Sequence, residues 1–224
     1  MCGVASHLVP QFSQLHVYQL SFSDSGIGKK NQWTSIPPGL EQFKPINKIK
    51  ARQFLGLQKK LFYIGWLGRF EEVKNPNLDI ELAKHNPKIG FVMGGGGNLL
   101  QNVKNKSPEN VLILDWVDSN IFWSSVDCAL STSKSEGISV SLIEAAFHSL
   151  PIIATNVGST SEIVESNLNG FLCNFNYQLL SSVKKLAKDK NLLSKFGIES
   201  RKIALNKFKS DILKRRHVLL YEEL

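Results

Sequence analysis

From Leu61 to Leu172 the chain alternates short runs rich in β-branched and aromatic residues with stretches of helical period. Few architectures accept that pattern. Parallel strands need crossover connections, and helices on both faces of the sheet leave the strands as near-continuous apolar runs. Strands are expected near Leu61–Trp66, Ile89–Met93, Val111–Leu114, Cys128–Ser131, Pro151–Thr155 and Gly170–Leu172. Helices are expected near Pro76–His85, Ser119–Ser124, Ser139–Ser149 and Thr160–Glu165. A helical tail follows from about Tyr177 to Tyr221, with Leu179, Val183, Leu186 and Leu193 on one stripe. The expected fold class is α/β: a doubly wound, Rossmann-like parallel sheet with a helical C-terminal tail. Such sheets bind ligands in the crevice beyond the carboxyl ends of the strands.

The 224 residues, 42% of them hydrophobic, suffice for one α/β domain with appendages. Residues 1–58 differ in texture, with a polar stretch from Ser21 to Asn31 and breakers at Pro37-Pro38-Gly39 and Pro45. They read as a connector, and residues 59–224 as the ligand-binding domain. Cys2, Cys128 and Cys173 are odd in number and widely spaced, which supports neither a disulfide framework nor a metal or redox motif. No run reaches the roughly 18–20 apolar residues of a membrane-spanning helix, so a cytoplasmic protein is expected. The net charge of +8 favours anionic partners.

Three segments lie where a crevice ligand would sit. The first strand leads into Gly68-Arg69-Phe70-Glu71-Glu72-Val73-Lys74. Arg69 offers a planar fork and Lys74 a mobile point charge, which suits a diphosphate and equally describes two solvated loop cations. After the second strand, Gly94-Gly95-Gly96-Gly97 lets a ligand approach bare backbone or makes a flexible turn. It lacks the spacing of a dinucleotide fingerprint and the ending of a P-loop. After the fourth strand, Ser133-Lys134-Ser135-Glu136-Gly137-Ile138-Ser139 opens a helix, whose free amides favour an anion. Glu136 and Glu144 are acceptors for vicinal hydroxyls, but Ser141 and Glu144 also match a capping box.

Together and in order, Gly68-Arg69-x4-Lys74 and Glu136-Gly137-x6-Glu144-Ala145 resemble the nucleotide-sugar-binding half of retaining GT-B glycosyltransferases, the glycosyl transferases group 1 (glycosyltransferase family 4). Ile36-Pro37-Pro38-Gly39-Leu40, Trp116-Val117, Asp127, Leu150-Pro151-Ile152, Val157-Gly158, Glu162-Ile163-Val164 and Asn169-Gly170-Phe171-Leu172 extend the resemblance over roughly residues 35–224.

The resemblance implies a glycosyltransferase of hexosyltransferase type, using a nucleoside-diphosphate sugar and a glycan or lipid-linked hydroxyl acceptor, with no metal or other cofactor. Arg69 and Lys74 would bind the diphosphate and stabilise its departure, Glu136 would face the donor sugar, and Glu144 would hold the ribose. The amides of Gly137, Ile138 and Ser139 would lie near sugar and phosphates, and Trp116, Val117 and Gly94 near the base. The family also implies an amino-terminal Rossmann-like domain, in cis or trans, with residues 1–58 as connector and remnant. A module that binds the nucleotide sugar without turnover is the alternative. Ser149 and Ser159 stand where the family commonly has glycine. Between residues 184 and 216 twelve Lys/Arg face three acidic residues. That surplus reads as a solvated helical face or as peripheral contact with the inner face of a membrane. It does not read as a nucleic-acid surface, because Phe196 and Phe208 suit the core.

Overall fold

The computed structural model describes residues 16–19, 33–36, 39–41 and 43–222, with the side chains of the first two segments and of 220–222 excepted. The Ser21–Asn31 stretch, Pro37-Pro38 and Cys2 lie outside them. Strands β1 (His16–Gln19) and β2 (Trp33–Ile36) pair antiparallel, with His16 opposite Ile36. Helix α1 (Lys48–Phe54) follows, capped by the Asn47 side chain on the amides of Ile49 and Lys50. Both elements fall within the segment expected as connector.

The remaining elements run β3 (Tyr63–Leu67), α2 (Pro76–Lys84), β4 (Gly90–Gly94), α3 (Leu100–Lys106), β5 (Val111–Leu114), α4 (Ser119–Ser125), β6 (Cys128–Ser131), α5 (Val140–Phe147), β7 (Ile152–Thr155), α6 (Thr160–Ile163) and β8 (Gly170–Cys173). Helices α7 (Asn176–Lys188), α8 (Lys190–Lys207) and α9 (Ser210–Glu222) close the chain. The six strands expected from the sequence form one parallel sheet of order β5-β4-β3-β6-β7-β8. The chain winds outward from β3 to β5, then returns to lay β6 beside β3. That reversal opens a crevice between the carboxyl ends of β3 and β6.

Each sheet face buries its own apolar set. On one, Phe122 and Trp123 of α4 and Phe147 of α5 cover β6 and β7; on the other, Leu179, Val183 and Phe196 cover Ile64, Cys128 and Leu130. Phe196 and Phe208 are buried, as expected. Charge holds α1 in place. The buried Arg52 guanidinium donates to Asp127 Oδ2 at 2.6 Å and to the Ser125 and Lys59 carbonyls. Asp127 also accepts from the Tyr63 amide at 2.8 Å and from Lys48 at 2.9 Å, so one carboxylate joins α1 to the starts of β3 and β6. Leu40 exchanges backbone hydrogen bonds with Phe208 and Ser210, which draws it against the α8–α9 junction.

Candidate active site

The switch point between β3 and β6 is a cavity of about 580 Å³. Arg69, Lys74, Trp116, Val117, Glu136, Ile138, Ser139 and Glu144 all line it. These residues come from four separate loops or helix starts.

On the β3 side, the loop carrying Arg69 is clasped by the glycine run. The amide of Gly68 donates to Gly94 O at 3.0 Å and that of Phe70 to Gly96 O at 2.9 Å. Gly95 (φ +128°) would place a Cβ 2.0 Å from Gly68 O, and Gly97 (φ +148°) would place one 2.6 Å from Phe70 O. The bare backbone therefore serves the protein's own chain: the glycines let two loops lie in contact so that Arg69 projects into the cavity. Gly94 differs from its expected place. It ends β4, buried against Leu67, Val117 and Phe122, and Gly95 reaches the cavity wall in its stead.

Beyond Arg69 a 3-10 turn (Glu72–Lys74) delivers Lys74, and the left-handed Asn75 (φ +50°) turns the chain into α2 at Pro76. This turn is bonded to the facing loop, whose Lys134 amide donates to Val73 O at 2.8 Å. Lys74 Nζ reaches Glu136 Oε1 at 2.6 Å, and Ser133 Oγ donates to the same oxygen at 2.7 Å. Arg69 Nη1 lies 3.2 Å from Glu71 Oε1.

Strand β7 underpins the Glu136 loop. Thr155 Oγ1 donates to Ser133 O at 2.6 Å, and the Ser159 amide to Gly137 O at 3.1 Å. Gly137 is not on the cavity wall; its carbonyl instead anchors the loop to Ser159.

Helix α5 begins at Val140 with Ser139 in the N-cap position, which puts Glu144 in the fifth helical position and rules out the capping box. Glu144 reaches across to α4 instead, where Ser119 Oγ and Trp123 Nε1 each donate to its carboxylate at 3.3 Å. Burial raises its pKa above the ordinary carboxylate value, against the opposing pull of the Trp123 and Ser119 bonds. Neither donor was evident in the sequence. The available signal was one indole N–H in the helix expected over Ser119–Ser124.

The two serines at family-glycine positions differ in consequence. Ser149 takes φ +59° where α5 ends, a left-handed conformation natural to glycine. Ser159 has an ordinary φ of −88° and is absent from the cavity wall.

Comparison with known proteins accords with this geometry. The family model for glycosyl transferases group 1 matches residues 47–203. An Escherichia coli UDP-Gal:alpha-D-GlcNAc-diphosphoundecaprenol alpha-1,3-galactosyltransferase is 30% identical over 182 residues, which cover 71% of this chain and 47% of that protein. The chain thus spans less than half the length of that relative. Among solved structures, Anabaena Alr3699/HepE in complex with UDP and glucose superposes with a TM-score of 0.77 at 19% identity, over 84% of this chain and 56% of that one. The C-terminal domain of a glycosyl transferase group 1 family protein (LpcC) from Francisella tularensis superposes with a TM-score of 0.65 at 24% identity. It is covered over its whole length by 77% of this chain.

Proposed function

The chain belongs to the glycosyl transferases group 1 family, and on that footing we propose that it is the donor-binding half of a retaining glycosyltransferase of hexosyltransferase type. It would move a sugar from a nucleoside diphosphate to a hydroxyl of a glycan or lipid-linked acceptor in polysaccharide biosynthesis. The observation that carries this reading is the convergence of two cations and two carboxylates on one cavity at the topological switch point. Arg69 and Lys74 hold the diphosphate and stabilise it as it leaves, supplying positive charge with no metal required. Glu144, fixed by Trp123 and Ser119, accepts from the ribose hydroxyls. Glu136 faces the donor sugar, Ile138 and Ser139 lie along the phosphates, and Trp116 and Val117 edge the base.

Transfer also needs an acceptor oxygen held against the anomeric carbon away from water. Orientation of that kind is worth about 7–11 kcal/mol of barrier. The wall described here carries only the donor's contacts, so turnover requires an amino-terminal Rossmann-like domain in cis or trans. The exposed Lys184, Lys188, Lys195, Lys214, Arg215 and Arg216 support peripheral contact with an anionic membrane surface bearing a lipid-linked acceptor. No helix among the described residues is long and apolar enough to cross a membrane.

The test is a thermal-shift panel of UDP, GDP and ADP on the wild type and on Arg69→Ala, followed by a transfer assay with and without such a domain. A ligand at 100 times its Kd adds about 2.7 kcal/mol of stability. One diphosphate should stabilise the wild type, and Arg69→Ala should weaken it roughly ten- to a hundredfold while leaving the free nucleoside unaffected. Equal loss for nucleoside and diphosphate would remove Arg69 from the phosphate site. Binding without transfer even when the second domain is present would favour the non-catalytic module.

A further inference from the structure

Both cations of the cavity are already paired. Arg69 Nη1 stands 3.2 Å from Glu71 Oε1, and Lys74 Nζ stands 2.6 Å from Glu136 Oε1. The two carboxylates are not equivalent. Glu71 is 34% exposed, and water can solvate it when Arg69 turns away. Glu136 is 7% exposed and shares its bonded oxygen with the single hydroxyl of Ser133. A diphosphate entering the cavity draws on the charge of Lys74. Drawing that ammonium off leaves Glu136 in the interior with one neutral donor, and a buried carboxylate stripped of its counter-charge is costly.

What the ligand brings in exchange depends on whether a sugar is attached. A sugar ring carries several hydroxyl donors that can take the place of the ammonium on Glu136. A bare nucleoside diphosphate carries none at that end, so it adds negative charge beside Glu136 and takes away its partner.

Resting on the donor-binding reading above, we propose that Glu136 makes the site discriminate against the sugar-free nucleotide by competing with it for Lys74. The sugar-bearing nucleotide escapes this penalty because its hydroxyls satisfy the carboxylate. Once the sugar has gone, the returning Lys74–Glu136 pair works to expel the nucleotide that remains. Glu71 exerts a related pull on Arg69, but from the rim, where the presence of a sugar changes nothing.

Isothermal titration of the full chain tests this. UDP, GDP and ADP and their glucose, galactose and N-acetylglucosamine conjugates are titrated on wild type, Glu136→Gln, Glu136→Ala and Glu71→Gln. Melting temperatures measured in parallel identify the variants that fold. Glu136→Gln should bind the bare diphosphate roughly two- to fivefold tighter than wild type, the worth of a partly screened ion pair. Its affinity for the sugar nucleotide should stay level or fall, so that the discrimination collapses. Glu136→Ala should do the same without an amide in place. Glu71→Gln should tighten both ligands alike and leave their ratio unchanged. Bare-diphosphate binding that stays level or weakens in both folded Glu136 variants overturns the proposal, as does equal tightening of both ligands. A wild type that binds neither the three diphosphates nor their sugar conjugates at millimolar concentration overturns the donor-binding reading and this proposal with it, whereas the preceding outcomes leave that reading standing.

Discussion

Gly158 lies so close under the carbonyl oxygen of Glu136 that a Cβ built on it would stand 1.6 Å from that oxygen. Its φ of +51° is also in the left-handed region. The turn after β7 thus abuts the loop after β6 at the point where Glu136 is aimed. Gly158→Ala should lift the 133–139 segment off this support, costing about 2–3 kcal/mol or a fall of roughly 4–12 °C in Tm. Nucleoside diphosphate affinity measured on the folded fraction should fall with it. Unchanged affinity would mean that the loop keeps its position without that contact.

Glu144 is partly buried, and its pKa is raised mainly by desolvation. With the folded value above the unfolded one, its contribution to stability is full below the ordinary pKa of 4.5 and is lost as pH rises through the raised value. Glu144→Gln should remove that pH dependence and leave Tm near neutrality level or slightly higher. Ribose recognition runs the opposite way, because the ionised carboxylate is the better acceptor. In wild type, nucleotide affinity should therefore weaken as pH drops toward the Glu144 pKa, whereas the Gln variant should be weak and flat throughout. Titrations at several pH values read both effects.

Asp79 in α2 is fully buried, and neither carboxylate oxygen has a hydrogen-bond partner among the described residues. Burial alone drives its pKa well above the ordinary 3.8. Its ionisation therefore opposes folding as pH rises through the raised value, and stability should increase on acidification toward 3.8. Asp79→Leu, which keeps the branching and is free of that cost though bulkier, should stabilise the protein by up to about 1–3 kcal/mol at pH 7 in urea unfolding. The gain should shrink at pH 5. Destabilisation at both pH values would show that Asp79 meets an unseen partner.

Ser149 holds φ +59° just past the end of α5. Ser149→Gly should relax that conformation and raise stability by about 0.5–1 kcal/mol, some 1–4 °C in Tm. Ligand affinity should not change, since the residue lies outside the donor cavity.

The parallel sheet was legible because its inner strands are buried on both faces and even the half-buried edge strand β5 is a continuous apolar run, so composition carries the signal. Val111–Leu114 and Cys128–Ser131 have the observed limits of β5 and β6. Helix α1 was not legible. Ile49 and Phe54 are exposed on it, and its anchor is the ion pair from Arg52 to Asp127, which hydropathy does not register. Helix α3 was missed for a similar reason, with Val103 its one buried residue. At the site, residue types marked Arg69, Lys74, Glu136 and Glu144. Composition could not say whether the space beside the Gly94–Gly97 run admits a ligand or a neighbouring loop. Nor could a four-residue capping pattern show that the helix starts early enough to free Glu144.

Glu136 and Glu144 lie at either end of a single stretch of chain, a loop pinned at Ser133, Glu136 and Gly137 that runs straight into α5. Their separation is consequently a built-in dimension, with the helical part advancing about 1.5 Å per residue. On the proposed donor reading, a bound molecule would be measured against that gauge from ribose to sugar. On that reading, a linker one phosphate shorter or longer than a diphosphate would bring only one of its ends to a carboxylate, so the span would act as a length filter.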